Sequence, residues 1–111
     1  MDYKIRTEGQ YTVIALRGDV DLHHSPKARE QILKYLGEQC HVMVDLADVA
    51  YIDSSGIASL IEGFQLAKQH KLQFGLVGVS EPAMQVLKLA RLDRVLPIHQ
   101  TISGMAPVSI R

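Results

Sequence analysis

Two short runs, HVMVDL at 41–46 and LQFGLVG at 72–78, are apolar through their centres. They are too short for ordinary helices, and they lack the strict alternation of a strand with one wet face. Runs of this kind read as strands covered on both sides. Each is followed by apolar residues at helical spacing. Ile57, Leu60, Ile61 and Phe64 follow the first, in a helix running to about His70, and Ala83, Val86, Leu87 and Ala90 follow the second. Strands joined through helices pair in parallel, with right-handed crossovers. That pattern confines the chain to the α/β class.

The start of the chain differs. Tyr3, Ile5 and Thr7 alternate with polar neighbours, Glu8-Gly9-Gln10 is a turn, and YTVIAL at 11–16 is a second strand. Together they predict an antiparallel hairpin. GDVDL follows as a loop, and Ser25-Pro26 offers an N-cap with proline at the first helical position. The helix it opens carries Ala28, Ile32, Leu33 and Leu36 and stops near Gly37. Ser80-Glu81-Pro82 caps another. Residues 91–98 hold a turn and a short edge strand, and the tail at 101–111 has no firm period. The expectation is a mixed sheet of four to five strands, an N-terminal hairpin and then parallel strands. Three to four helices accompany it, near 25–37, 55–70 and 81–91, in a single domain over 1–111.

Composition narrows the function. A chain of 111 residues, 47% of them hydrophobic, supports one packed core. Twelve basic residues balance twelve acidic ones, so no global field draws it to nucleic acid or an anionic membrane. Cys40 is the only cysteine, which excludes an internal disulfide. The opening MDYKIRTEGQ has no apolar core of a secretory signal. No apolar run approaches the roughly 18 residues a membrane span needs. The expectation is a cytoplasmic protein with no direct nucleic-acid contact and no membrane insertion.

The stretch YIDSSGIASL at 51–60 joins a strand to a helix through Asp53, Ser54 and Ser55. In open α/β sheets, functional groups gather outside the carboxyl ends of the parallel strands. With the helix starting near Gly56, Ser55 becomes its N-cap or first residue, near unpaired backbone N–H groups and the positive end of the dipole. A phosphate is tolerated there and adds about −1.5 to −2 charges. Gly56 leaves room for a partner to approach closely. Plain N-capping also accounts for these residue types, since Asp and Ser are among the best caps. The local chemistry leaves both readings open.

Other chemistries fit less well. Asp19 and Asp21 are paired carboxylates, but two loop acids at this spacing are ordinary turn residues. His23 and His24 are adjacent and point apart, so they do not share a metal. Ser54 and Ser55 lack the G-x-S-x-G frame of a hydrolase nucleophile, and neither His70 nor His99 sits in a recognisable motif. A receiver domain needs an acidic pair after its first strand and a late lysine. A P-loop needs G-x-x-x-x-G-K-[ST], which is absent. The chain is expected to be no enzyme, with no cofactor and no metal.

From Val42 to His99 the sequence resembles the STAS domain of bacterial anti-sigma-factor antagonists. The marks are a buried strand ending in Asp45-Leu46, the run YIDSSG, and PAMQVLKLARL after the second buried strand. The early Gly18-Asp19-Val20-Asp21 is similar to that family's G-x-x-D loop, and the likeness reaches to about residue 100. It implies that Ser55, the second serine of D-S-S-G, is phosphorylated by a partner serine kinase. Asp21, Asp53, Ser54 and Gly56 then belong to the partner-binding surface. It also implies that the unmodified protein binds the anti-sigma factor, which is that kinase, and that the phosphorylated form releases it. A PP2C-type phosphatase resets the switch. The alternative is a constitutive STAS accessory subunit of a lipid-transport ATPase or another transporter.

Overall fold

Gly9, at a φ of 60°, closes the first turn in a conformation that suits a residue without a side chain. It joins β1 (Asp2–Glu8) to β2 (Tyr11–Val20) in an antiparallel ladder, with Tyr3 opposite Leu16 and Glu8 opposite Tyr11. The structure, a computed structural model, describes residues 1–102. The tail at 103–111 lies outside the described residues. After the hairpin come α1 (Ser25–Gly37), β3 (His41–Ile52), α2 (Ser54–Gln69), β4 (Phe74–Val77), α3 (Glu81–Leu89), a 3-10 turn at Leu92–Arg94, and β5 (Ile98–His99). One five-stranded sheet results, ordered β1-β2-β3-β4-β5, with every pair after the first parallel. This is the mixed α/β architecture that the two apolar runs and the hairpin predict.

Alternation along the strands assigns the faces. Ile14, Leu16, Val42, Val44, Phe74 and Leu76 join Ile32, Leu36, Leu60 and Leu87 of the helices in one buried cluster. Their neighbours Tyr11, Val13, Met43 and Val77 form a second cluster with Ile102. Burying each large aliphatic chain is worth about 1.5–3 kcal/mol. α2 packs closely against its surroundings because Gly63 has no side chain. A Cβ there would lie 2.6 Å from Cγ2 of Ile32 and 3.0 Å from the Phe74 ring.

Several boundaries differ from the sequence expectation. β2 runs on to Val20, so the first three residues of GDVDL are strand rather than loop. They stay paired with β3 through two register shifts, one between Ala15 and Arg17 and one between Gly18 and Asp19. Ser25 is the first residue of α1 and not its cap. His24 holds the cap position without a side-chain hydrogen bond. Ser80 does cap α3, its Oγ accepting from the Ala83 N–H at 3.4 Å.

Candidate functional site

β2 and β3 end side by side, with Val20 paired to Ile52. Immediately after Ile52 the chain enters α2, and Asp53 makes the turn. Its backbone N–H donates to the Val20 carbonyl at 3.3 Å, and its extended backbone (φ −109°, ψ −172°) aims the carboxylate back over the helix start. Oδ1 accepts from the Ser55 N–H at 2.9 Å, the Gly56 N–H at 3.2 Å and the Ser55 hydroxyl at 2.5 Å. Oδ2 accepts from the Leu22 N–H at 3.1 Å. The carboxylate therefore ties the loop after β2 to the first turn of α2. The N-cap is Asp53, and α2 starts at Ser54, so Ser55 is neither cap nor first residue.

Two consequences follow for the expected site. Ser54 is exposed and Ser55 half-buried. The N–H groups of Ser55 and Gly56 are already taken by Asp53, so they are not the unpaired amides a phosphate was expected to meet. Gly56 is buried. A Cβ on it would lie 2.6 Å from the Val20 carbonyl oxygen and 2.7 Å from Cγ1 of Ile52. Its missing side chain serves a contact inside the chain and leaves no open room there for a partner.

The charges are well held. The Ser55 hydroxyl beside Asp53 keeps its carboxyl below the usual aspartate range against the opposing pull of desolvation, helped by the Gly56, Ser55 and Leu22 N–H groups. Asp21 sits one residue before Leu22. Its Oδ1 accepts from the N–H groups of His23 and His24 at 3.1 Å each, and His24 Nδ1 lies 2.6 Å from the same oxygen. Desolvation pushes the Asp21 carboxyl up, and the bonds from His24 outweigh it, so the net shift is downward. Both acids are thus ionised at neutral pH. Below the turn, the buried Ser59 hydroxyl donates to the Ser55 carbonyl at 3.1 Å.

Sequence reasoning missed Leu22 and Tyr51. Leu22 is 71% exposed and Tyr51 51%, and they lie one residue from Asp21 and two from Asp53 respectively. A bare leucine in a polar loop was the signal available for the first. Among the described residues, no three His, Cys, Asp or Glu side chains gather as a metal site. A cavity of about 330 Å³ runs along β1 and β2, and none of its lining residues belongs to the Asp53–Gly56 turn.

With this geometry in place, residues 2–105 match the model of the STAS domain family. The chain belongs to the STAS domain family. This STAS protein is 26% identical over 93 residues to the anti-sigma-B factor antagonist of Listeria monocytogenes, covering 83% of the chain and 82% of that relative. An anti-sigma-factor antagonist STAS domain protein from Planctomyces limnophilus superposes with a TM-score of 0.79 at 25% identity, over 93% of each chain. The Bacillus cell fate determinant SpoIIAA, solved in its phosphorylated form, superposes at 0.71 with 16% identity, over 92% of this chain and 94% of that one. Among the described residues, no helix is long and apolar enough to cross a membrane.

Proposed function

We propose that this STAS protein is an anti-sigma-factor antagonist working in the cytoplasm as a phosphorylation-controlled partner switch. The unmodified form binds an anti-sigma factor that is also a serine kinase. Phosphate on Ser55 releases that partner, and a PP2C-type phosphatase restores binding. The observation that carries the reading is the 2.5 Å hydrogen bond from the Ser55 hydroxyl to Asp53, at the carboxyl end of two parallel strands. A phosphate on that oxygen brings about −1.5 to −2 charges against an ionised carboxylate. The local surface changes from one acid to a dense anionic patch, which any partner would have to desolvate or neutralise. The names of the relatives support the antagonist role, and the phosphorylated SpoIIAA structure supports the modification.

Mass spectrometry after incubation with the cognate kinase and Mg-ATP tests the site, and calorimetric titration of both forms tests the release. Phosphate on Ser55 with a loss of affinity is the expected result. Equal affinity of the two forms would return the chain to the class of constitutive accessory subunits.

A further inference from the structure

Large apolar side chains in solvent are few among the described residues, and two of them flank one turn. Leu89, at the end of α3, is 86% exposed, and Val95, just past the 3-10 turn, is 55% exposed. From Lys88 to Val95 only Leu92 is buried, and it joins the core and pins the turn. The same stretch carries Lys88, Arg91 and Arg94 against one acid, Asp93, in a chain whose charges balance overall. Elsewhere Arg6, Lys27 and Arg29 are paired with carboxylates, and Lys34 and Lys68 lie over aromatic rings. Among the described residues, no ion pair or ring contact engages Lys88, Arg91 or Arg94.

A cation near a helix C-terminus is ordinary, since it faces the negative end of the dipole, and Lys88 in the last turn of α3 needs no other reason. The dipole explains neither Arg94, beyond the helix, nor Leu89, an apolar side chain that the fold leaves bare. Beside Leu89 lies a shallow recess of about 390 Å³, lined by Gln85, Lys88 and Leu89 itself. This patch is remote from Ser55. From Asp45, paired with Val77 at the end of β4, β3 runs on to Ile52 and the switch turn, about 20 Å at the usual rise per residue. α3 turns back from β4, and Val95 stands just before Pro97, whose carbonyl accepts from the Leu76 N–H within β4. The two surfaces therefore occupy opposite ends of the sheet.

We infer that Lys88, Leu89, Arg91, Arg94 and Val95 form a second docking surface, for an acidic protein segment that carries an apolar side chain. The inference stands apart from the proposed phosphorylation of Ser55. Carboxylates of the segment meet the three cations, and its apolar side chain enters the recess against Leu89. The recess favours a peptide over a lipid surface, which has no single protruding group to fill it. Three cations offset by Asp93 are also too few to hold a protein on an anionic membrane. So small a patch makes a transient, salt-sensitive contact. A partner held here leaves the Ser55 end open and stays bound through a cycle of modification.

The test is an amide NMR titration of the full chain with a synthetic acidic peptide, half Asp and Glu with one Leu and one Phe. Its control is the same peptide with Lys for every acid. Shifts should saturate below millimolar peptide and centre on residues 85–95. Raising NaCl from about 50 to about 300 mM should weaken binding about 10-fold. Lys88→Glu combined with Arg94→Glu should weaken it about 10-fold or more. Leu89→Ala should lose about 5-fold with an unchanged melting temperature, because that side chain packs on nothing. No saturable shift, shifts centred elsewhere, or equal binding of the basic peptide would overturn the inference. Binding to phosphatidylglycerol vesicles without binding to the acidic peptide would overturn it in favour of a membrane surface. A dimer in sedimentation that Leu89→Ala dissociates would overturn it in favour of a second copy.

Discussion

Arg29 of α1 and Glu62 of α2 meet side by side, Nε to Oε1 and Nη2 to Oε2, each at 2.7 Å. The paired geometry is the strongest an ion pair adopts, and it lowers the Glu62 pKa through the Arg29 hydrogen bond. Yet both side chains are about half exposed, at 50% and 44%, so water competes for each. Replacing either by alanine should lower the melting temperature by about 1–3 °C. The double variant should be no worse than the weaker single one, and about 1 M NaCl should erase most of the difference. Thermal melts at two salt concentrations check this.

The two glycines of α2 should respond differently to alanine. At Gly63 the new methyl meets side-chain atoms of Ile32 and Phe74 and no backbone of a neighbouring element. At Gly56 it meets the Val20 carbonyl oxygen at 2.6 Å, and backbone in a paired strand yields little. Alanine also gains up to about 1 kcal/mol of helix propensity at either place. Gly56→Ala should therefore cost about 1–3 kcal/mol net and Gly63→Ala clearly less. Urea denaturation of both variants gives the order, and a reversed order would contradict the packing described at the site.

Ser55→Ala removes the hydroxyl from Asp53 and leaves the cap amides in place. It should cost about 0.5–1.5 kcal/mol and resist modification while still binding the partner. Ser55→Asp is more severe, because it sets a second carboxylate where Asp53 Oδ1 held a proton donor. The helix dipole favours the new charge, but the amides that would receive it are occupied. Its melting temperature should fall below that of Ser55→Ala, and its affinity for the partner should drop. Differential scanning calorimetry and titration calorimetry on the same samples measure both.

Acid should weaken the fold through this turn. The folded pKa of Asp53 is depressed from the ordinary 3.8, chiefly by the Ser55 hydroxyl. The stability it contributes is complete above the unfolded value and is lost as pH falls through the lower folded one. Asp21 and Glu62 are depressed as well and act in the same direction. Asp53→Asn, which keeps the cap without the titration, should show a shallower fall in urea midpoint between about pH 5 and pH 2. An unchanged acid slope would mean the carboxylate is not the group that binds the proton.

Much of this was legible in the chain. The hairpin followed from the alternation of Tyr3, Ile5 and Thr7, and the parallel strands from two apolar runs with helical stripes behind them. What sequence missed was set by contacts far along the chain. Arg17, Gly18 and Asp19 have no strand-like pattern, and they are strand only because β3 continues opposite them through two register shifts. Asp53, Ser54 and Ser55 are three good caps in a row. Local propensity has no means of choosing among them. The choice depends on Gly56 seating against Val20, which turns the Asp53 carboxylate onto the first amides. Leu22 joins the site through its backbone N–H, a group every non-proline residue carries and no motif records.

The strands lie in the sheet in the order in which the chain makes them. No strand has to be inserted between two that already pair, and each new ladder closes a loop no longer than one helix and its turns. Loop closure is then cheap at every step, and assembly from a growing chain proceeds along one open edge. The junction that carries Ser55 is finished once α2 has emerged, with β4, α3 and β5 still to come. A ribosome-bound fragment ending just beyond Gln69 would already contain every residue whose hydrogen bonds hold that serine.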